Sequence, residues 1–173
     1  VEIQLRGTVR DLVVAASGLV GMEGDGLAYR LDAARSFAWS ASPEYEVTTQ
    51  AMGSTTVASY AFPEHRSASE ATLRTTAQAA AVYGALFGAY PHDQLVVVEA
   101  EFMDGMEYDG MYFLGSGYYA AYAGEPTGWL TVIAAHETAH QWWYGLVGND
   151  QALEPWLDET LCTYSERLFF EAQ

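Results

Sequence analysis

The chain has 173 residues, half of them hydrophobic and 14% aromatic, a composition that argues against a disordered chain and allows one domain with a real core or two small lobes. Its formal net charge of −16 would repel phosphate, so nucleic acid is not an expected partner, while cationic groups such as the amino end of a peptide are tolerated. No run of eighteen uncharged apolar residues exists, so no transmembrane helix or membrane insertion is expected, and the start VEIQLRGTVR reads as a strand rather than a signal peptide, leaving localisation open.

Residues 1–62 read as strands. The runs LRGTVRDLVVAAS and YEVTTQAMGSTTVASYAF are rich in Val, Thr and Tyr, and turn signals separate them at 21–26, 42–44 and 52–54. The last of these suits a hairpin loop. Pro63-Glu64-His65 breaks the pattern and marks a candidate domain boundary. From Ser69 the period becomes helical, with Leu73, Ala77, Ala80, Ala81, Gly84 and Leu86-Phe87 on a buried face and Gly88 and Pro91 as the stop. Leu95–Glu99 reads as a short buried strand. A Gly- and Tyr-rich stretch follows from Gly105 to Gly124, with a strand expected over Met111–Leu114. A second helix is expected from near Thr127, as N-cap, to about Gly145. A loop, GNDQALE, then leads to Pro155, a suitable first helical residue. The third helix runs to the end of the chain, with Leu157, Leu161, Leu168 and Phe169 on its apolar face. The single cysteine, Cys162, lies in this helix and reads as a small core residue.

Chemistry concentrates in His136-Glu137-Thr138-Ala139-His140. On a helix, residues i and i+4 share a face, so both imidazoles can reach one metal ion while Glu137 sits at the edge of the site. Neutral imidazole suits zinc, and catalytic zinc keeps one position for water, whose pKa it lowers to roughly 7. Glu137 is placed to take that proton as general base and pass it to a leaving amine. Glu159, with eighteen residues between it and His140, lies near the start of the next helix. Two helices joined by such a loop can pack antiparallel, which brings Glu159 to the histidines as third ligand. One Zn2+ per chain is therefore expected, held by His136, His140 and Glu159. The other two histidines, His65 and His92, sit beside Pro63 and Pro91 and read as surface or capping residues. Asp158 and Glu166 are both candidates to orient a ligating histidine. Trp142, Trp143 and Tyr144 read as core or pocket wall. Tyr118, Tyr119 and Tyr122 read as packing residues that could also line a substrate pocket.

The segment H136-E-T-A-H-Q-W-W-Y-G, continued by W156-L-D-E-T-L-C-T-Y-S-E166, resembles the gluzincin aminopeptidases, the family of aminopeptidase N and leukotriene hydrolase. Their pattern is H-E-x-x-H-x18-E followed by W-L-N-E-G-F-A-x-Y-x-E. Asp158 stands here for the Asn and Thr160 for the Gly. Gly105-Met106-Glu107-Tyr108, about thirty residues upstream, resembles the family's G-x-M-E-N substrate motif, with Tyr108 in place of Asn. The resemblance implies that Glu107 binds the free α-amino group of a peptide, and that the backbone of Gly105 and Met106 aligns the substrate as an edge strand. Ala34-Arg35-Ser36-Phe37-Ala38-Trp39-Ser40 resembles the family near the junction of its first two domains.

The fold implied is α+β. Residues 1–62 would be the tail of a β-rich N-terminal domain, and 63–173 the N-terminal part of a thermolysin-like zincin domain. The function implied is a zinc aminopeptidase acting on peptides with a free N-terminus. The family's catalytic Tyr lies about sixty residues beyond the Glu ligand, past Gln173. The rest of the enzyme is thus expected to be missing from this chain, and slow turnover is expected of it alone. Two other readings stay open: a zinc endopeptidase or other zinc hydrolase of the same fold, and a non-catalytic scaffold. Retention of Glu137, which is not needed to hold a structural metal, argues against the scaffold.

Overall fold

The computed structural model describes residues 2–5, 12–23 and 26–173. It combines strands and helices, in keeping with the α+β expectation. Of the strand run expected over 5–17, residues 6–11 lie outside the described residues, as do 24 and 25 of the turn expected at 21–26.

Two small antiparallel sheets open the chain. One has the order β1 (Glu2–Leu5), β4 (Gly26–Arg30), β3 (Leu19–Glu23), and the other pairs β2 (Val13–Ala16) with β5 (Trp39–Ser42). A five-stranded mixed sheet follows. It contains β6 (Glu46–Met52), β7 (Thr55–Ala61), β8 (Gln94–Ala100), β10 (Met111–Gly115) and β9 (Gly105–Tyr108), side by side in that order. The β6–β7 hairpin turns at the expected place, where Gly53 has φ +60° and meets no steric penalty. β7 and β8 are parallel, so the chain must cross over between them, and helix α1 (Arg66–Phe87) is that crossover. The boundary expected at 62/63 therefore falls within a continuous sheet: β6 and β7 belong to the same layer as β8–β10.

The middle strand explains the layering. β8 alternates, and both faces are buried. Leu95 and Val97 join clusters with Ala80 and Tyr83 of α1 and with Ala134 and Ala135 of helix α3 (Trp129–Ala139). Val96 and Val98 point the other way and pack with Ala15, Ala38, Tyr45 and Met111. Helices thus cover one face of the sheet and the N-terminal strands cover the other. The alanines of α1 and α3 let the two helices approach closely, and the Tyr83 hydroxyl of α1 lies 3.2 Å from the carbonyl of Ala135 on α3 and 3.0 Å from that of Ser165 on the last helix.

Several expected boundaries move. α1 starts at Arg66 rather than Ser69, directly after the 3-10 turn Pro63–His65, and Ala81 and Leu86 of its expected buried face are exposed. It closes at Gly88, one of the two stop residues expected. A short helix α2 (Ser116–Ala120) follows β10. α3 is capped by Gly128 rather than Thr127, and its α-helical hydrogen bonding ends at Ala139, well before Gly145. A π-helical turn, Gln141–Leu146, replaces the rest: Gly145 N–H donates to the carbonyl of His140 at 2.9 Å and Val147 N–H to that of Trp142 at 2.8 Å. Helix α4 (Trp156–Glu171) begins just after Pro155. Its buried residues are Asp158, Cys162, Ser165 and Phe169; Leu157 and Leu168 are only half-buried and Leu161 is exposed. The helix is turned so that small and polar side chains meet α3 and the π turn. No helix among the described residues is long and apolar enough to cross a membrane.

Candidate metal centre

α3 presents His136 and His140 one turn apart, with ring centroids 5.0 Å apart. α4 lies against it and brings Glu159 to the same place. The Glu159 carboxyl reaches His136 Nε2 at 3.2 Å through one oxygen and lies 3.9 Å from His140 Nε2 through the other. Each ring is held from behind. His136 Nδ1 lies 2.6 Å from Glu166 Oε1, and His140 Nδ1 lies 3.1 Å from the carbonyl of Trp143. A carbonyl only accepts, so His140 carries its proton on Nδ1 and turns the lone pair of Nε2 toward Glu159. The π turn makes this contact: Trp143 (φ −93°, ψ 66°) leaves the helical path, and its carbonyl is free to take the histidine. Of the two candidates for orienting a histidine, Glu166 does so. Asp158 instead accepts hydrogen bonds from Asn149 and Gln151.

Glu137 is 4% exposed, and its Oε2 has no hydrogen-bond partner. Burial pushes its carboxyl well above the ordinary range, and the nearby charges of Glu107, Glu159, Asp104 and Glu166 add to that. Burial also lowers His140. For His136, burial is outweighed by the hydrogen bond and charge of Glu166 and the charge of Glu159, so its pKa rises. A bound cation would reverse this local balance by stabilising the carboxylates.

Two trios of ligand atoms are compact enough to hold a metal, each within 4.8 Å: His136, Glu137, His140 and Glu107, His140, Asp158. Glu159 belongs to neither trio, although its two oxygens lie 3.2 and 3.9 Å from the Nε2 atoms of His136 and His140. Its carboxyl is more than half exposed and faces both Nε2 atoms. Glu137 lies close against β9, where a Cβ on Gly105 would meet its carboxyl. Only glycine admits so close an approach.

β9 is the edge of its sheet and carries the substrate-motif residues. Gly105 abuts Glu137, Met106 is 39% exposed on the strand, and Glu107 is buried with Gln151 Nε2 at 2.8 Å. At the end of the hairpin, Asp109 accepts from the backbone N–H of Arg35 (2.9 Å) and Ser36 (2.8 Å) and from the Ser36 hydroxyl (3.0 Å). Arg35 in turn donates to the carbonyls of Tyr144 and Asn149. The junction segment thus ties β9 to the π turn. A cavity of about 630 Å³ starts at Asp104, beside Gly105, and is lined by Phe102, Tyr118, Tyr122 and Trp129 among others; Tyr119 is buried instead in the core.

His65 is held 2.7 Å from the buried Glu99, and His92 packs edge-on against Tyr90; neither approaches the centre. Cys162 is fully buried, and Trp142 is core. Gln151, Asn149 and Asp109 escaped sequence reading, since a loop Gln or Asn has no periodic signal. No protein-family model matches the chain, and no curated protein matches it. The chemistry of the site therefore rests on its side chains.

Proposed function

We propose that the chain is a zinc metallopeptidase of the aminopeptidase type, with the helices and mixed sheet forming part of a thermolysin-like subdomain related to the gluzincins. One observation carries the proposal. Two helices bring two imidazoles and a carboxyl together, and a second carboxyl beside them is buried with an oxygen left unpaired. Scaffolding gives no reason to leave a buried carboxyl oxygen without a donor.

The donor set fits zinc: two imidazoles whose Nδ1 atoms are engaged, and one carboxylate, leaving a position open. Zinc bound there supplies Lewis acidity, polarising a carbonyl and lowering the pKa of a water to roughly 7. His136, His140 and Glu159 would hold it. Glu137 takes up a proton at its unpaired Oε2 and returns it to the departing amine. The bare backbone of Gly105 sets the distance between that carboxyl and β9. The outer edge of β9 takes the main chain of the peptide as an added strand, and Glu107 meets its ammonium.

Elemental analysis of the purified protein, with His136→Ala and Glu159→Ala beside it, is the first test. About one zinc per chain, lost in both variants, is expected. The zinc-loaded protein should hydrolyse an aminoacyl substrate with a free amine and spare its acetylated twin. Zinc that persists in both variants would remove the ligand assignment. Equal cleavage of the two substrates would replace aminopeptidase with endopeptidase.

A further inference from the structure

Beside the centre, Glu107 and Asp158 are both buried, 8% and 3% exposed, and their oxygens lie within 4.8 Å of each other and of a ring nitrogen of His140. The Arg ion pairs among the described residues lie elsewhere, at Asp32, Glu46 and Glu171. What stands between the two carboxyls is a neutral amide. Gln151 Nε2 donates to Glu107 Oε1 at 2.8 Å and to Asp158 Oδ2 at 2.5 Å. A single nitrogen donor therefore occupies the point where both acceptors converge. Gln151 comes from the largely exposed 148–154 loop, the part of the site least fixed by packing. Glu137 is close by: it is 4% exposed with Oε2 unpaired, and Glu107 is its strongest charged neighbour.

We infer that Glu107 and Asp158 together form a two-carboxylate seat for the substrate's primary ammonium, and that the Gln151 amide fills this seat until substrate displaces it. The inference rests on the aminopeptidase reading and adds Asp158 as a specificity-determining residue and Gln151 as an internal competitor. An ammonium has three donors and a full charge, where the amide nitrogen offers two donors and none. It is the better partner for two carboxylates, so exchange is favourable once the loop side chain swings out. Asp158 also accepts from Asn149 Nδ2 at 3.2 Å, which keeps its carboxyl aimed at the seat when Gln151 leaves.

The test is equilibrium binding, by calorimetry on the zinc-loaded protein with Glu137→Gln in every sample so that the probe is not hydrolysed, of L-leucinamide and of N-acetyl-L-leucinamide. It compares the wild type with Asp158→Asn and Gln151→Ala, with thermal melts of each. Leucinamide should bind about tenfold or more weakly to Asp158→Asn, the size of a lost charge-assisted hydrogen bond. It should bind more tightly to Gln151→Ala, because the competitor is gone. The acetylated probe should not bind in either case. If Asp158→Asn binds as the wild type does, or Gln151→Ala binds more weakly, the seat is overturned even where free-amine substrates are cleaved. If leucinamide binds with the expected pattern but no peptide is cleaved, the seat stands and the peptidase reading falls. No binding to any of the three proteins overturns the seat directly.

Discussion

The chain buries carboxyl groups in two different manners. Glu99 is fully buried in the sheet, and both its oxygens are used: Oε2 accepts the Phe62 N–H at 3.0 Å and Oε1 faces His65 Nδ1 at 2.7 Å. Asp109, 2% exposed, collects three donors on one oxygen. Glu137 is buried nearly as deeply, yet one oxygen has nothing. The same fold thus supplies donors where a carboxylate fastens strands and loops together, and withholds one where α3 meets β9. Leaving a buried acceptor unpaired costs about 1–3 kcal/mol. A cost of that kind is expected where a group must be free to take up a proton.

The sharpest way to break this contrast is Glu137→Gln. It should reduce kcat for free-amine substrates by roughly 10²–10⁴, the range for loss of a general base, while zinc content stays at the wild-type level. Its effect on stability should be nil or favourable. Burial raises the Glu137 carboxyl above its ordinary range. In the metal-free protein, the contribution of the neutral form is present at low pH and lost as pH rises through the raised value. Gln does not ionise, so urea unfolding of the metal-free variant should lose that decline. A Glu137→Gln protein that unfolds more readily at every pH would place Glu137 with the structural carboxylates.

Asp109→Ala tests the other side. It removes the acceptor for three donors of the junction segment and frees the β9 hairpin from Arg35 and Ser36. A loss of about 3 kcal/mol in urea unfolding is expected, from several bonds to a charged acceptor broken at once. Zinc should still bind, because none of these contacts touches α3 or α4 directly. Unchanged stability would mean that the hydrogen bonds of Asp109 merely replace bonds to water.

The meeting of the candidate centre's side chains was more legible in the sequence than the scaffold around them. His136, His140 and Glu159 come together because helical spacing is a local property, and two antiparallel helices leave little choice. β8 and the β6–β7 hairpin were legible for the same reason: composition and turn residues act within a few positions. Non-local pairing was not. Nothing near Pro63 shows that β7 will lie beside β8 rather than in a separate domain, because the partner strand is beyond the crossover helix. Nor does apolar spacing show how α4 turns. Its leucines suggest one face, but Asp158 and Ser165 find partners in Gln151, Asn149 and Trp143, and those bonds select the other. The end of α3 was hidden likewise, since Trp142-Trp143-Tyr144 continue an apolar run while the carbonyls of Trp143 and Tyr144 are claimed by His140 and Arg35.

Gly105→Ala gives the smallest expected effect and the finest test of the contrast. The added methyl would meet the Glu137 carboxyl, which has to give way because the backbone of β9 is held by its pairing with β10. The carboxyl is not fastened by a hydrogen bond at Oε2, so it can rotate aside at little cost to the fold. Stability should therefore change by only about 1 kcal/mol. Placement of a proton-transferring group is less forgiving than stability, and a displaced base should lower kcat about tenfold with zinc content and KM nearly unchanged. Stopped-flow or steady-state assays beside urea unfolding would read both numbers on one preparation. A large loss of stability with kcat preserved would mean that the Glu137 carboxyl is held in place after all, and that its unpaired oxygen belongs to packing rather than to proton transfer.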